Sequence, residues 1–239
     1  MKLSNDKNSK LLIIIPMYNA CMFIHDTILS ILNQQVNIKL IIVDDCSIDS
    51  SYEIASSFKN VTVLRNSVNR GTYYSINNGL NYMSDDSTWT HYVIHGADDI
   101  SCGDRFRKQL NILNNSNDNI MAIGCGFKRV DFKTKKVLST SIKTNESMLV
   151  IKREIFEKIG YYDNGRAGCD TEYKRRIQLA NPGCISSLNE ILLTAYSHDS
   201  NLTKKIPLGG TFRKNYVNTF TREHREMKRN NNFYKKFTP

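Results

Sequence analysis

"HYVIHGADDIS", residues 91–101, runs from an apolar triplet, Tyr92-Val93-Ile94, through His95-Gly96-Ala97 into two adjacent carboxylates, Asp98 and Asp99. A strand that crosses a core and ends on two like charges is costly unless a cation or hydrogen-bond donors meet them. The same grammar recurs on either side. "LLIII" (11–15) is followed by Pro16-Met17-Tyr18-Asn19, and "LIIV" (40–43) by Asp44-Asp45-Cys46-Ser47-Ile48-Asp49. "VTVL" (61–64) is a further short run. Runs that are apolar throughout, instead of alternating, suit strands covered on both faces.

Helical spacing separates these runs. Phe23, Ile24, Ile28, Ile31 and Leu32 form one stripe. Tyr74, Asn78 and Tyr82 share a face of a helix opening near Gly71, and Phe106, Leu110 and Leu113 repeat the pattern after Asp104. Strand–helix alternation predicts an α/β fold with a mostly parallel, Rossmann-like central sheet and helices on both faces. From about residue 120 the pattern loosens. Strand-like "IMAIGCGF" and "KVLSTS" precede helices near 153–159 and 170–180, followed by "CISSL" and "ILLTAY" as strands. This mixed half is expected to extend the same sheet and form one wall of a cleft. Ligands of open parallel sheets sit beyond the carboxyl ends of the strands. The Tyr18 ring and the carboxylates of Asp44, Asp45, Asp98 and Asp99 are therefore expected on one rim.

At 239 residues and 40% hydrophobic, the chain can bury one sizeable core. The net charge is +10, unevenly spread: residues 201–239 hold ten Lys/Arg against two Glu. A basic tail suits phosphate groups, an acidic membrane surface or nucleic acid, with a solvated helix as the plain alternative. Phe212, Tyr216 and Phe220 stand at i, i+4, i+8 within it. That stripe is expected to dock on the body, or to make peripheral contact with an anionic membrane or a polymeric acceptor. The apolar run Leu11–Ile15 is too short for a signal-peptide core or a membrane span, so a cytoplasmic location is expected. Six cysteines without CxxC spacing suggest free thiols. The sequons at Asn60, Asn115, Asn145 and Asn201 read as accidents of an Asn-rich composition.

An ordered series of motifs over residues 11–203 resembles glycosyltransferase family 2, whose members have the GT-A fold. The series comprises "IIIPMYNA", "IIVDDCSIDSS", "NRGTYYSINNGL", "GADDIS" with "DRFRKQL", "IKREIFEKIGYYD", "GCDTEYKRR" and "AYSHDSNLT". Each is weak by itself; their order and spacing together are specific. The resemblance implies an inverting transfer of sugar from a nucleotide-diphosphate donor, UDP-sugar favoured, to the hydroxyl of a glycan, protein or lipid. It implies a Mn²⁺ or Mg²⁺ ion that neutralises the leaving diphosphate.

On this reading Asp99 binds the metal and Asp98 accepts hydrogen bonds from the ribose. The opening strand and turn, with Pro16, Tyr18 and Asn19, contact the nucleotide. Tyr18 and Asp45 recognise the base by stacking and by accepting an N–H, with Asp44 open as the alternative, the other carboxylate holding the turn. Gly71 lets backbone approach the ligand at a helix start, and Arg70 either pairs with phosphate or is a lone surface arginine. His198 approaches the metal or diphosphate as the loop "DSNLTKK" closes, with Lys204 and Lys205 as a lid. The family often has an acidic residue where Gly96 stands here. His95 is then either an extra ligand or the last inward side chain of its strand. Where many relatives have Glu before the catalytic Asp, this chain has Cys169.

The general base is a choice between Asp170 and Glu172. In a helix opening near 170, Asp170 shares the inward face with Tyr173 and Ile177. Glu172, about 200° further round, is expected to pair with Arg176 on the surface. Asp170 is therefore the expected base. The expected organisation is a polar lead (1–10), one catalytic domain (11–205, with a nucleotide-binding half to 101 and an acceptor half from 102) and a basic helical tail (206–239). Two other classes compete: a degenerate module binding a nucleotide-sugar or nucleic acid, and a sugar nucleotidyltransferase. "PMYNACMF" supplies no Gly-rich phosphate loop for the latter.

Overall fold

β1 (Lys10–Met17), β2 (Asn37–Asp44), β3 (Val61–Arg65) and β4 (His91–Ile94) run parallel in the order β3-β2-β1-β4. This computed structural model describes residues 9–116, 119–142, 148–206 and 210–239. Residues 1–8 of the polar lead, Asn145 and the Lys205 side chain lie outside the described set. Ile13 sits beside Leu40 on one side and Val93 on the other. β1 is apolar throughout because both its faces are covered. Leu12 and Ile14 join the core shared with Tyr73, Ile76 and Leu80. Leu11, Ile13 and Ile15 join that of Ile24, Ile28 and Phe106. The helices α1 (Ile24–Leu32), α2 (Ser51–Ser56), α3 (Thr72–Tyr82) and α4 (Arg105–Asn115) supply these faces.

Beyond β4 the sheet becomes mixed. β8 (Val150–Lys152) pairs antiparallel with β4 and with β6 (Ala122–Asp131). β9 (Ile185–Ser197) lies parallel to β6, and β5 (Asp99–Ser101) antiparallel to β9; β7 (Val137–Ser141) forms a hairpin on β6. α5 (Arg153–Ile159), α6 (Cys169–Ala180), α7 (Leu202–Lys205) and α8 (Thr211–Asn230) complete the described elements. The expected second half is therefore present, with differences. "CISSL" and "ILLTAY" are one strand, β9, whose register against β6 shifts around Gly126. A Cβ on Gly126 would lie 2.7 Å from the Ser141 carbonyl oxygen, so only glycine fits this bulge.

α3 buries Tyr73, Ile76, Asn77 and Leu80, while Tyr82 on the Tyr74–Asn78 face is exposed. Its inner stripe includes the polar Asn77, which donates to the Tyr162 carbonyl (2.8 Å) and accepts the Tyr162 N–H (2.9 Å). That satisfied amide hides the buried face from a hydrophobicity pattern. α8 docks on α6, but the buried positions are Phe220 and His224, and Phe212 is 53% exposed. All six cysteines are free thiols.

Candidate functional site

The carboxyl ends of β1 and β2 lead into two loops knitted together. Asn19 (φ 48°) and Cys46 (φ 64°) both adopt the left-handed conformation that non-glycine residues seldom take. The Asn19 N–H donates to Ser47 Oγ (2.9 Å), and its Oδ1 accepts the Ile48 N–H (3.0 Å). Such strain persists only where neighbours enforce it, commonly at functional sites. Pro16 sits in the last turn of the ladder opposite Val43. Tyr18, just past the strand, leaves its ring 47% exposed at this rim.

Both carboxylates after β2 are occupied by protein donors. Asp44, wholly buried, takes Arg65 Nε at 3.2 Å and the Ser47 N–H at 3.3 Å. Asp45, only 3% exposed, accepts Asn66 Nδ2 (2.8 Å), the Arg70 N–H (2.9 Å) and the Gly71 N–H (2.7 Å). It is thus Asp45 that holds the loop entering α3, with one acceptor site of its four left. Gly71 has φ 95°, which explains glycine there. The Arg70 side chain turns away onto Tyr74, donating to its hydroxyl at 2.6 Å and stacking 3.7 Å from the ring centre.

Asp98 lies in the turn after β4, and Asp99 opens β5. Asp98 Oδ2 meets His198 Nε2 (2.7 Å) and Asn201 Nδ2 (2.9 Å). The other ring nitrogen of His198 meets Ser200 Oγ at 2.7 Å. Burial and the Asp98 charge push the Asp99 carboxyl up to about 8, against the opposing pull of Arg105 and Arg129. A Cβ on Gly96 would lie 2.7 Å from Asp99 Oδ2 and 3.0 Å from Asp98 Oδ1. The glycine makes room for both carboxylates, so no acidic side chain fits there without moving them. His95 is not directed at the pair: its nitrogens meet the Gly96 carbonyl (2.8 Å) and Ser101 Oγ (2.9 Å). Burial and Arg105 depress its pKa to about 3, so it stays a neutral spacer.

A pocket of about 220 Å³ is lined by Asp98, Asp99 and Asp170, with Arg129, Tyr196 and Asn201. Asp170 stands in the first turn of α6, behind Gly168 at φ 88°. The Tyr73 hydroxyl donates to Asp170 Oδ1 at 2.9 Å. Tyr73 belongs to α3, whose start Asp45 secures, so one helix links the loop at Gly71 to Asp170. Tyr18, Asp45, Arg70, Gly71 and His198 are not in the pocket lining. Cys169 points into the core, wholly buried, and burial pushes its thiol up to about 12. A carboxylate at that position would not face the pocket.

Glu172 overturns its surface reading. It is fully buried and accepts Arg176 Nε (2.9 Å) and His224 Nε2 (2.9 Å). Arg176, equally buried, donates to the carbonyls of Ile159, Tyr161 and Phe233. The pairing with Arg176 at i+4 is the one helical spacing expected; His224 of α8 and Phe233 of the C-terminal segment are what bury it, and no local pattern around residue 172 announces them. Tyr73, Arg129 and Asn201 also escaped the sequence reading. Asn201 stood inside the closing "HDSNLT" motif and Tyr73 inside "NRGTYYSINNGL", and both could have been found there; Arg129 carries no local signal.

A divalent cation fits this donor set in part. Two adjacent carboxylates, one of them disfavoured as an anion, and an imidazole suit Mn²⁺ or Mg²⁺. Among the described residues no three His, Cys, Asp or Glu side chains converge as a cage. The chain would supply one or two ligands, leaving the rest to phosphate oxygens and water.

A half-parallel, half-mixed sheet with acidic groups collected at its strand ends defines a GT-A-like α/β protein. The chain belongs to glycosyl transferase family 2, whose model matches residues 12–175. An uncharacterised glycosyltransferase of Rickettsia typhi is 25% identical over 211 residues, covering 80% of this chain and 65% of the relative. The crystal structure of S. aureus TarS 1-349 in complex with UDP-GlcNAc superposes with a TM-score of 0.71 at 15% identity, over 90% of this chain and 66% of that one. The mannosyltransferase PcManGT from Pyrobaculum calidifontis, in complex with GDP-Man and Mn²⁺, gives 0.66 at 14% identity, over 84% and 61%. The chain spans less than two thirds of the length of each of these three proteins.

Proposed function

We propose that this chain transfers a sugar, with inversion, from a nucleoside-diphosphate donor to an acceptor hydroxyl, in a reaction assisted by Mn²⁺ or Mg²⁺. The observation that carries the reading is that Asp98, Asp99 and Asp170 line one pocket. The UDP-sugar and the GDP-sugar bound by the two similar structures support a nucleotide-sugar donor. UDP is the favoured form.

The exposed Tyr18 ring stacks on the base, on a rim shaped by Pro16 and Asn19 and braced by Asp44 and Asp45. The last acceptor site of Asp45 is open to a base N–H. Asp98 accepts from the ribose. Asp99 would hold the cation, and His198 would join it if its Nε2 left Asp98. The cation, when bound, neutralises charge on the departing diphosphate. Arg70, swung off Tyr74, and the backbone at Gly71 approach the phosphates. Asp170 takes the proton of the acceptor hydroxyl as its oxygen bonds to the anomeric carbon and the bond to the diphosphate oxygen breaks. Lys204, on the short helix after Asn201, covers the site.

Asp170→Asn tests the assignment. Transfer should fall by about 10²–10⁴-fold, the usual worth of a general base, while the thermal shift with UDP and Mn²⁺ is retained. Undiminished turnover in that variant would refute Asp170 as base. A wild-type protein that binds nucleotide-sugars but turns none over would favour the non-catalytic module.

A further inference from the structure

α8 presents two unlike faces. Tyr216, Phe220, Glu223, His224 and Met227 turn toward α6 and the C-terminal segment. Opposite them, at 100° per residue, Lys214, Asn218, Thr221, Arg222, Arg225, Lys228 and Arg229 fall within an arc of about 120° and a length of about 22 Å. The five cations on this arc are exposed, and among the described residues none forms an ion pair. The arc holds no carboxylate and no apolar side chain; half-buried Val217 and exposed Glu226 flank its two borders, and Phe212 lies well off it.

That composition decides between polyanions. A helix lying on a bilayer needs an apolar face to bury beneath the headgroups. Here the apolar face is consumed by α6, so only charge remains to bind with. The position of the stripe bears on the site as well. The Arg213 guanidinium and the Tyr216 ring, in the first turns of α8, lie within 4 Å of where a Gly168 side chain would begin. Gly168 caps the helix that carries Asp170. The start of α8 thus lies beside the cap of that helix; Lys214 opens the row there, and the other four cations follow two turns further along the outward face.

We propose that the solvent face of α8 is a docking strip for a linear polyanionic acceptor, a glycan with regularly spaced phosphodiester or carboxylate groups, whose end enters the pocket. This rests on the transferase reading above and names the acceptor class for it.

Long-chain inorganic polyphosphate and polygalacturonate are the two probes, measured by titration calorimetry from 50 to 300 mM salt on the full chain. Both should bind, more weakly as salt rises, and the tighter of the two identifies the anion. The triple variant Arg222→Gln/Arg225→Gln/Arg229→Gln should bind at least tenfold more weakly, with the slope of log K against log salt reduced by about 2, from about 0.7 per neutralised phosphate. Its donor hydrolysis should be unchanged, since none of the three residues touches the pocket. Wild-type affinity in the triple variant overturns the proposal. So does tighter binding to phosphatidylglycerol vesicles, or to a single-stranded oligonucleotide of equal charge, than to either probe. Loss of donor hydrolysis in the wild-type protein, with polyanion binding intact, would instead strike the transferase reading.

Discussion

Asp99 concentrates the electrostatic tension of the site. Its carboxyl is raised to about 8 by burial and by Asp98, so between about pH 4 and pH 8 the folded chain holds a proton that the unfolded chain has lost. Stability contributed through this group is therefore present at low pH and falls as pH rises through that window. Thermal denaturation of the metal-free protein should show Tm falling from pH 5 to pH 8, and Asp99→Asn should flatten that slope. An unchanged slope in the variant would mean that the repulsion is relieved by other means. Asp170 poses a different case, because its partner is a neutral donor. The Tyr73 hydroxyl donates to it at 2.9 Å and fixes its direction. Tyr73→Phe should lower kcat by roughly tenfold, the worth of one hydrogen bond of about 1–1.5 kcal/mol.

At the scale of elements, α6 divides two kinds of carboxylate by helical geometry. Asp170 in its first turn faces the pocket; Glu172 faces the core, where Arg176, His224 and Lys235 surround it. Its pKa is held below the ordinary glutamate value despite burial, because these cationic and hydrogen-bonding partners outweigh desolvation. Removing one member of a buried charge pair leaves the other uncompensated and costs about 3–5 kcal/mol. Glu172→Ala should lose about that much in urea denaturation. A loss below 1 kcal/mol would indicate that water replaces the carboxylate. The α8 side of the same network ties the segment after residue 230 to α6: Lys235 bonds Asp163 and Glu223, and its carbonyl accepts the Tyr161 N–H at 3.0 Å.

For the whole molecule, one sheet runs unbroken from β3 to β5 and the C-terminal residues complete its core. No helix among the described residues is long and apolar enough to cross a membrane. A chain ending at residue 206 would lack His224, Phe233 and Lys235, exposing Glu172 and Arg176. We expect that truncation to lower Tm by about 10 °C or more, or to abolish the folding transition, with the intact chain melting in a single step. Two separate transitions in calorimetry, the second unaffected by truncation, would instead make residues 206–239 an independent appendage.

Much of this architecture was legible in the order of residues because it is local. Continuous apolar runs announced β1 and β2 as doubly covered strands, and residues at the carboxyl ends of β1, β2 and β4, Tyr18, Asp44 and Asp98, had to emerge on one side of a parallel sheet. Helical spacing paired Glu172 with Arg176 correctly but placed the pair on the surface, where the structure buries it. Contacts between distant parts of the chain had no such signature. Only the folded molecule decided that Asp45 holds the loop at Gly71, that Gly96 clears room for two carboxylates, and that Glu172 is buried against α8. Each of those outcomes depends on what another segment brings within a few ångströms. Side-chain type and spacing specify which residues share a face; what covers that face, and the charge and donors that meet it there, are set by the tertiary fold.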